Sequence, residues 1–270
     1  MPILTHQQDE LLWLSSTLLE AQPHLRHGFS TRKGGVSQPP WYSLNLGIGR
    51  DDNPEHVREN YRRFCGALGM DHRRVVLTYQ THTTNIRRVT PQDAGKGLWQ
   101  DRDYRDVDGF ITNEKNLPLV VFSADCGIIL LYDPVQHAAG ALHAGWRGCA
   151  GGIPETAVKA MTASFGSRPS DILAAIGPGI GQCCFETDAD VPMAMEAALG
   201  TDALPYTEKR GPKFYVDLPG LNRQWLLRAG LLPEHIEVSD LCTACHPELF
   251  WSHRKMGNTR GAQVAMISLD

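Results

Sequence analysis

Positive charge is not in surplus along this chain: thirty acidic residues face twenty-six basic ones, for a formal net charge of −4. The electrostatic footprint of a nucleic-acid or acidic-membrane partner is therefore missing. Nor does any stretch approach the roughly eighteen consecutive apolar residues that a membrane span needs. The opening segment, MPILTHQQDELLWLSSTLL, has no basic leader, no long apolar core and no small-residue cleavage site, so the expected location is the cytoplasm. Cysteine totals seven, an odd number at irregular spacing, which argues against a disulfide framework and for reduced thiols. Internal repeats, low-complexity tracts and a clear linker are also lacking. What remains is an ordinary globular composition, 42% hydrophobic and 21% charged. Over residues 1–270 it reads as one α/β domain.

Local patterns then place the elements. Residues 10–20 suit either a short helix or a first strand. Asn53–Leu68 repeats apolar residues at helical spacing (Val57, Tyr61, Phe64, Cys65, Leu68), with Pro54 just inside its start and Gly69 after its end. On that face Cys65 reads as core. Strands are expected at Arg74–Tyr79, Ile86–Val89, Leu117–Phe122, Ile128–Tyr132, Ala138–Leu142, Ile172–Ile176, Lys213–Val216, Ile236–Val238 and Ala262–Leu269. Helices are expected at Pro154–Phe165, 188–198 and Leu218–Arg228, and a polar loop at 91–106.

The central stretch ADCGIILLYDPVQHAAGALHAGWRG (124–148) carries residues with no packing purpose between apolar runs. If the three strands around it form an antiparallel meander, Cys126 and His143 meet at one sheet edge, followed by a glycine-rich turn. His82, at the end of another strand, makes a third candidate. Two imidazoles and a thiolate are ordinary zinc ligands, and three protein ligands leave a position for water or substrate. The same atoms also suit a metal-free arrangement, with Cys126 as nucleophile and a histidine as base.

Arg32 with Gly34-Gly35 offers a fixed charge and free backbone N–H groups, suited to an anion or simply to a tight turn. The basic loop Ser252–Gly261 is a second candidate anion grip, or a solvated hairpin. Cys183-Cys184 reads as a pair of buried thiols. Cys242-Thr243-Ala244-Cys245-His246 matches a haem-attachment pattern, but haem attachment belongs outside the cytoplasm. A strand end with packed thiols, or a redox dithiol, is the remaining reading. Asp106-Val107-Asp108-Gly109 is not followed by the rest of a calcium loop.

Taken jointly, these segments resemble the YfiH family, historically labelled laccase-domain or multicopper polyphenol oxidases. The matching pieces are HGFSTRKGGVS (27–37), SLNLG (43–47), QTH (80–82), SADC (123–126), HAGWRG (143–148), AIGPGIGQCCFE (175–186) and FWSHR with TRG (250–261). They run in family order over nearly the whole chain.

The resemblance implies a layered α/β sandwich related to cysteine-hydrolase toxins of the cytotoxic necrotizing factor type. It implies zinc, with copper as the alternative ion, held by His82, Cys126 and His143. It also implies phosphorolysis of adenosine, inosine, guanosine and methylthioadenosine, with adenosine deaminase activity. Hydrolytic editing of peptidoglycan precursors and copper-dependent polyphenol oxidation are the alternatives.

On this reading the partners are a purine nucleoside and phosphate, with no nucleic acid or membrane, and the protein is a monomer. Arg32, Gly34, Gly35 and Arg147 are expected to bind anionic oxygen, Asn45 to reach the ribose, and Asp125 to orient a histidine ligand or cap a strand. The family usually has Gly where Thr83 stands and Pro where Ile128 stands, so the pocket is expected to differ in shape there.

Overall fold

Continuous apolar runs decide the architecture, because the central strands bury both faces. The computed structural model describes residues 3–270. Its strands begin with β1 (Ile3–Gln8), β2 (Leu11–Ser16), β3 (Leu25–Ser30), β4 (Val76–Leu77) and β5 (Ile86–Arg88). They continue with β6 (Gly109–Thr112), β7 (Leu119–Ser123), β8 (Gly127–Asp133), β9 (Ala138–Ala144) and β10 (Leu173–Ile176). The last are β11 (Glu186–Thr187), β12 (Thr207–Arg210), β13 (Lys213–Val216), β14 (Ile236–Val238) and β15 (Gln263–Leu269). The α-helices are α1 (Thr17–Glu20), α2 (Pro54–Ala67), α3 (Trp146–Ala150), α4 (Ile153–Phe165), α5 (Asp190–Leu199), α6 (Leu218–Arg228) and α7 (His253–Met256).

Two six-stranded sheets result, in the orders β1-β2-β3-β15-β7-β4 and β14-β10-β8-β9-β6-β5, beside a small sheet β11-β13-β12. Between the large sheets lies one core. Ala265 and Ile267 of β15 meet Ile128, Leu130 and Tyr132 of β8 there. The alternate residues turn outward, as a period of two requires. Val264 and Met266 pack on α2, while Ile129 and Leu131 pack under α4 and α6. The layering is helix, sheet, sheet, helix.

Helix α2 shows how local sequence serves this plan. The Asn53 side chain accepts the Glu55 N–H at 2.9 Å, and Pro54 occupies the first helical position, where it needs no donor. Val57, Tyr61, Phe64 and Cys65 are buried against the first sheet, and Gly69 takes a φ of +68° just past the end. Burying a side chain the size of Phe64 contributes roughly 1.5–3 kcal/mol.

Several expectations change. Residues 10–20 hold both forms, strand β2 and then the single turn α1. The strand expected at Arg74–Tyr79 shrinks to Val76–Leu77, an edge paired only with β7. A short helix, α3, stands where a loop was expected after His143. Most importantly, β7, β8 and β9 do not form the expected meander. Strand β7 pairs with β15 and β4 in the first sheet, whereas β8 and β9 pair in the second. The chain changes sheets at Ala124-Asp125-Cys126, where Asp125 adopts a φ of +90°.

Among the described residues, no helix is long and apolar enough to cross a membrane.

Candidate metal centre and substrate cleft

The sheet change and the β8–β9 hairpin bring the central residues together. Gly127 pairs with Ala144 and Ile128 with His143, so Cys126 at the mouth of β8 comes level with the end of β9. His143 shares the inter-sheet face of β9 with Ala139 and Ala141, and it is buried. His82 arrives separately, on the loop after β4. Its Nε2 lies 3.8 Å from Cys126 Sγ, and its ring centroid lies 4.9 Å from that of His143. One donor atom from each of the three falls within 4.8 Å of the others.

Gly145 makes this approach possible. A Cβ there would stand 2.9 Å from the His82 ring and 3.0 Å from Cys126 Sγ. Any larger residue would push the donors apart.

Asp108, conspicuous in the sequence only as part of an incomplete calcium-loop pattern, organises the group. It is fully buried. Oδ1 accepts from His143 Nδ1 at 2.7 Å and from the His82 N–H at 3.0 Å. Oδ2 accepts from the N–H groups of Thr81 (3.1 Å) and Thr83 (2.9 Å), and from Thr83 Oγ1 at 2.9 Å. Burial alone would raise this carboxyl, but the bond from His143 and the backbone N–H bonds win and hold it down to about 2. The same bonds support His82 at a φ of +66°, a conformation costly for a non-glycine residue. Thr83 adds a hydroxyl bond to this carboxylate. Ile128 is buried in the inter-sheet core opposite His143.

With Nδ1 committed to Asp108, His143 presents Nε2 to the centre. A carboxylate behind a ligand imidazole is the usual way that such a ring is oriented toward a metal. Without a cation, burial opposes charge on Cys126 and His143, but their mutual attraction prevails. Cys126 falls to about 6, and His143, helped by Asp108, rises to about 9. Two imidazoles and a readily ionised thiol are a donor set that fits zinc.

A cleft of about 490 Å³ opens on this centre. Tyr79 and Phe122 contribute aromatic surface to its wall, and Arg50, Arg102 and Arg260 line it. Arg102 is engaged, donating to the Thr78 carbonyl at 2.6 Å. Arg50 and Arg260 have no carboxylate within ion-pair distance among the described residues. Burial, and then the charge of Arg50, pull Arg260 down to about 10, and burial lowers Arg50 as well. Two guanidiniums facing one cleft without an acid between them suit an anionic ligand. Arg260 belongs to the basic loop singled out in the sequence, whereas Arg50 had no signal beyond its place in a glycine-rich turn.

The other anion candidates stand outside this cleft. Arg32 donates to the carbonyls of Pro247 (2.8 Å) and Tyr42 (2.9 Å), and it lies 4.0 Å over the Trp251 ring. Gly34 and Gly35 serve close packing: a Cβ would meet Leu11 Cα at 2.2 Å or the Ser43 carbonyl at 2.1 Å. The Gly35 N–H is already bonded to Ser43 Oγ. Arg147 is exposed and stacks on Trp146. Asn45 is buried, donates to Asp52 and accepts from the N–H groups of Gly47 and Ala262, so it shapes the cleft wall from behind. Asp125 touches neither histidine. It accepts from Thr243 Oγ1 at 2.6 Å and from the Arg254 N–H at 2.7 Å, and so ties the loop after β14 and the start of α7 to the sheet crossing.

Comparison with known proteins finds relatives over nearly the whole chain. A family profile described as multi-copper polyphenol oxidoreductase laccase matches residues 26–270. The purine nucleoside phosphorylase YlmD of Bacillus subtilis is 38% identical over 246 residues, covering 90% of this chain and 87% of that protein. The crystal structure of the Bacillus licheniformis hypothetical protein YfiH superposes with a TM-score of 0.92 at 34% identity, covering 98% of this chain and 99% of that one. That of YlmD from Geobacillus stearothermophilus gives 0.91 at 34%, covering 99% of each.

Proposed function

The chain belongs to the multi-copper polyphenol oxidoreductase laccase family, in which the YfiH and YlmD proteins stand, and on that premise we propose that it is a zinc-dependent purine nucleoside phosphorylase. It acts on adenosine, inosine, guanosine and methylthioadenosine, and it also deaminates adenosine. The observation that carries this reading is one cleft holding both the His82/Cys126/His143 donor set and the Arg50/Arg260 pair. An oxidase of the multicopper type needs several ions, whereas this cleft offers three donors to one.

Zinc held by His82, Cys126 and His143 Nε2 would supply Lewis-acid polarisation of a substrate atom. The protein's own groups do the rest. Arg50 and Arg260 bind phosphate and keep it oriented toward the ribose, where positive charge builds as the glycosidic bond breaks. Holding both reactants in one cleft makes the displacement effectively unimolecular. Tyr79 and Phe122 give the purine ring a surface to lie against. Asp108 keeps the His143 proton on Nδ1 throughout.

The test is chromatography of adenosine incubated with the protein, with and without phosphate, beside a chelator-treated control. Phosphate-dependent release of adenine and ribose 1-phosphate, lost on chelation, is the expected result, with inosine appearing independently of phosphate. No conversion by zinc-loaded protein would sink the proposal.

One arrangement favours a second reading. Asp108, His143 and Cys126 follow one another as orienter, base and nucleophile, and the thiol is drawn down to about 6. This would suit a cysteine hydrolase acting on amides, including peptidoglycan precursors. Activity abolished by a thiol alkylator but indifferent to chelation would select it.

A further inference from the structure

Four of the six cysteines outside the cleft lie together on a different side of Asp125. Cys183 and Cys184 sit on the loop that follows β10, and Cys242 and Cys245 on the loop that follows β14. Separately, the two pairs read as packed thiols. In the fold they converge: Cys245 Sγ lies 3.5 Å from Cys183 Sγ and 3.4 Å from Cys184 Sγ, and all four sulfurs fall within 4.8 Å of one another. Cys183 and Cys245 are exposed and Cys184 is half-buried, so the expectation that Cys183-Cys184 is a buried pair fails, and only Cys242 is buried.

We propose that Cys183, Cys184, Cys242 and Cys245 form a second metal centre, a closed four-thiolate site for zinc. Four sulfurs around one zinc at about 2.3 Å stand about 3.8 Å apart, between the 3.4 Å of the nearest pair here and the 4.8 Å within which all four fall. Two-residue separation within Cys242–Cys245 is the spacing found in structural zinc sites. Its turn is closed by the Cys245 and His246 N–H groups, both donating to the Cys242 carbonyl at 3.2 Å. The Gly181 N–H donates to Cys242 Sγ at 3.2 Å, an orientation that suits a thiolate.

No disulfide pairing is singled out, because Cys245 is equally close to both neighbours. The donor set is all sulfur, which selects zinc over hard cations. Binding would release the thiol protons to solvent and leave a negative centre, beside which Arg254 is anchored to the Cys184 carbonyl.

The centre's role is structural. It would join the 177–185 loop to the 239–246 loop. Those loops already meet through the Thr243 N–H on the Gly179 carbonyl, and the Ile180 N–H ties the first of them to the Asp125 carbonyl at the sheet crossing. Asp125 adjoins Cys126, so the clamp reaches the cleft from below.

Zinc content per chain, measured after zinc reconstitution and desalting, tests this independently of any catalytic role for the cleft. Two equivalents are expected in the wild-type protein. Cys245→Ser and Cys183→Ser, at exposed positions, should each lose one and keep the other, while His82→Ala should show the opposite selectivity. Cobalt substitution of His82→Ala should give the intense sulfur-to-metal charge transfer of a four-thiolate site, whereas Cys245→Ser should keep only the several-fold weaker band of the single Cys126 thiolate. Cys245→Ser and Cys183→Ser retaining the wild-type content would overturn the assignment. So would peptide mapping of zinc-reconstituted protein that finds Cys245 in a disulfide. Failure of the cleft's own centre would read differently: one equivalent in the wild type, lost with Cys245→Ser and unchanged with His82→Ala.

Discussion

Replacing Asp108 with asparagine changes one atom in the most heavily bonded carboxylate of the site. Its two oxygens accept five hydrogen bonds, and an amide offers only one acceptor oxygen. With that oxygen in the Oδ2 position, the three bonds from Thr81 and Thr83 persist and the new NH₂ faces two donors, His143 Nδ1–H and the His82 N–H. In the opposite orientation it faces three. At least two charge-assisted bonds are lost, each worth about 1.5–3 kcal/mol, so a destabilisation of about 3–6 kcal/mol is expected. His143 has one escape: shifting its proton to Nε2 lets Nδ1 accept from the amide, but this removes the lone pair that the metal needs. Zinc affinity should therefore fall by about 10–100-fold whichever tautomer prevails. Urea unfolding of metal-free protein reads the first effect, and competition with a chromophoric chelator reads the second. Wild-type zinc affinity together with an unchanged urea midpoint would refute the reasoning.

Arg260→Ala should raise the phosphate KM at least tenfold while leaving zinc content unchanged, as loss of a charge-assisted contact implies; steady-state kinetics with phosphate varied is the check. Arg32→Ala should instead cost about 1–3 kcal/mol in unfolding free energy, through two carbonyl bonds and the Trp251 contact, and leave the phosphate KM alone. A shifted phosphate KM would return Arg32 to the anion site. His27 gives a pH signature away from the cleft: it is buried, and its Nε2 accepts the Ser16 N–H at 2.8 Å, so the folded ring is neutral. Burial, only partly offset by Glu20 and Glu237, takes it down to about 4. The unfolded chain thus binds the proton first, and stability is lost as pH falls from about 6.5 to about 4, by about 3 kcal/mol. His27→Gln should flatten that slope in denaturant titrations across this range; an unaltered slope would mean that His27 is not its source.

Much of the secondary structure could be read directly, because burial on one face leaves a period. Helix α2 was visible in Val57, Tyr61, Phe64 and Cys65, and β13, α6 and β14 match the expected bounds. Sheet membership was not visible. Leu119–Ser123 and Gly127–Asp133 look alike as apolar runs, and only the positive φ at Asp125 sends them into different sheets. His82, Cys126 and His143 do converge, though through the β8–β9 register and not through a meander. The role of Asp108 escaped notice because a buried carboxylate is marked by its donors, and those come from Thr81, His82, Thr83 and His143. The glycines at 34 and 35 misled for a related reason: exclusion of a Cβ by a neighbouring backbone looks, in sequence, the same as a cradle for a ligand. The two cysteine pairs were each conspicuous, but some sixty residues separate them and nothing local relates one to the other.

The passage of the chain from one sheet to the other at Asp125 has a consequence for the order of assembly. His82 hangs from the first sheet, His143 from the second, and Cys126 sits on the bridge between them. A half-folded chain with either sheet alone would own at most two of the three donors. On the proposed reading, nascent protein captures the cleft ion tightly only once both halves have docked, and uptake there is a late checkpoint on folding rather than a nucleus for it.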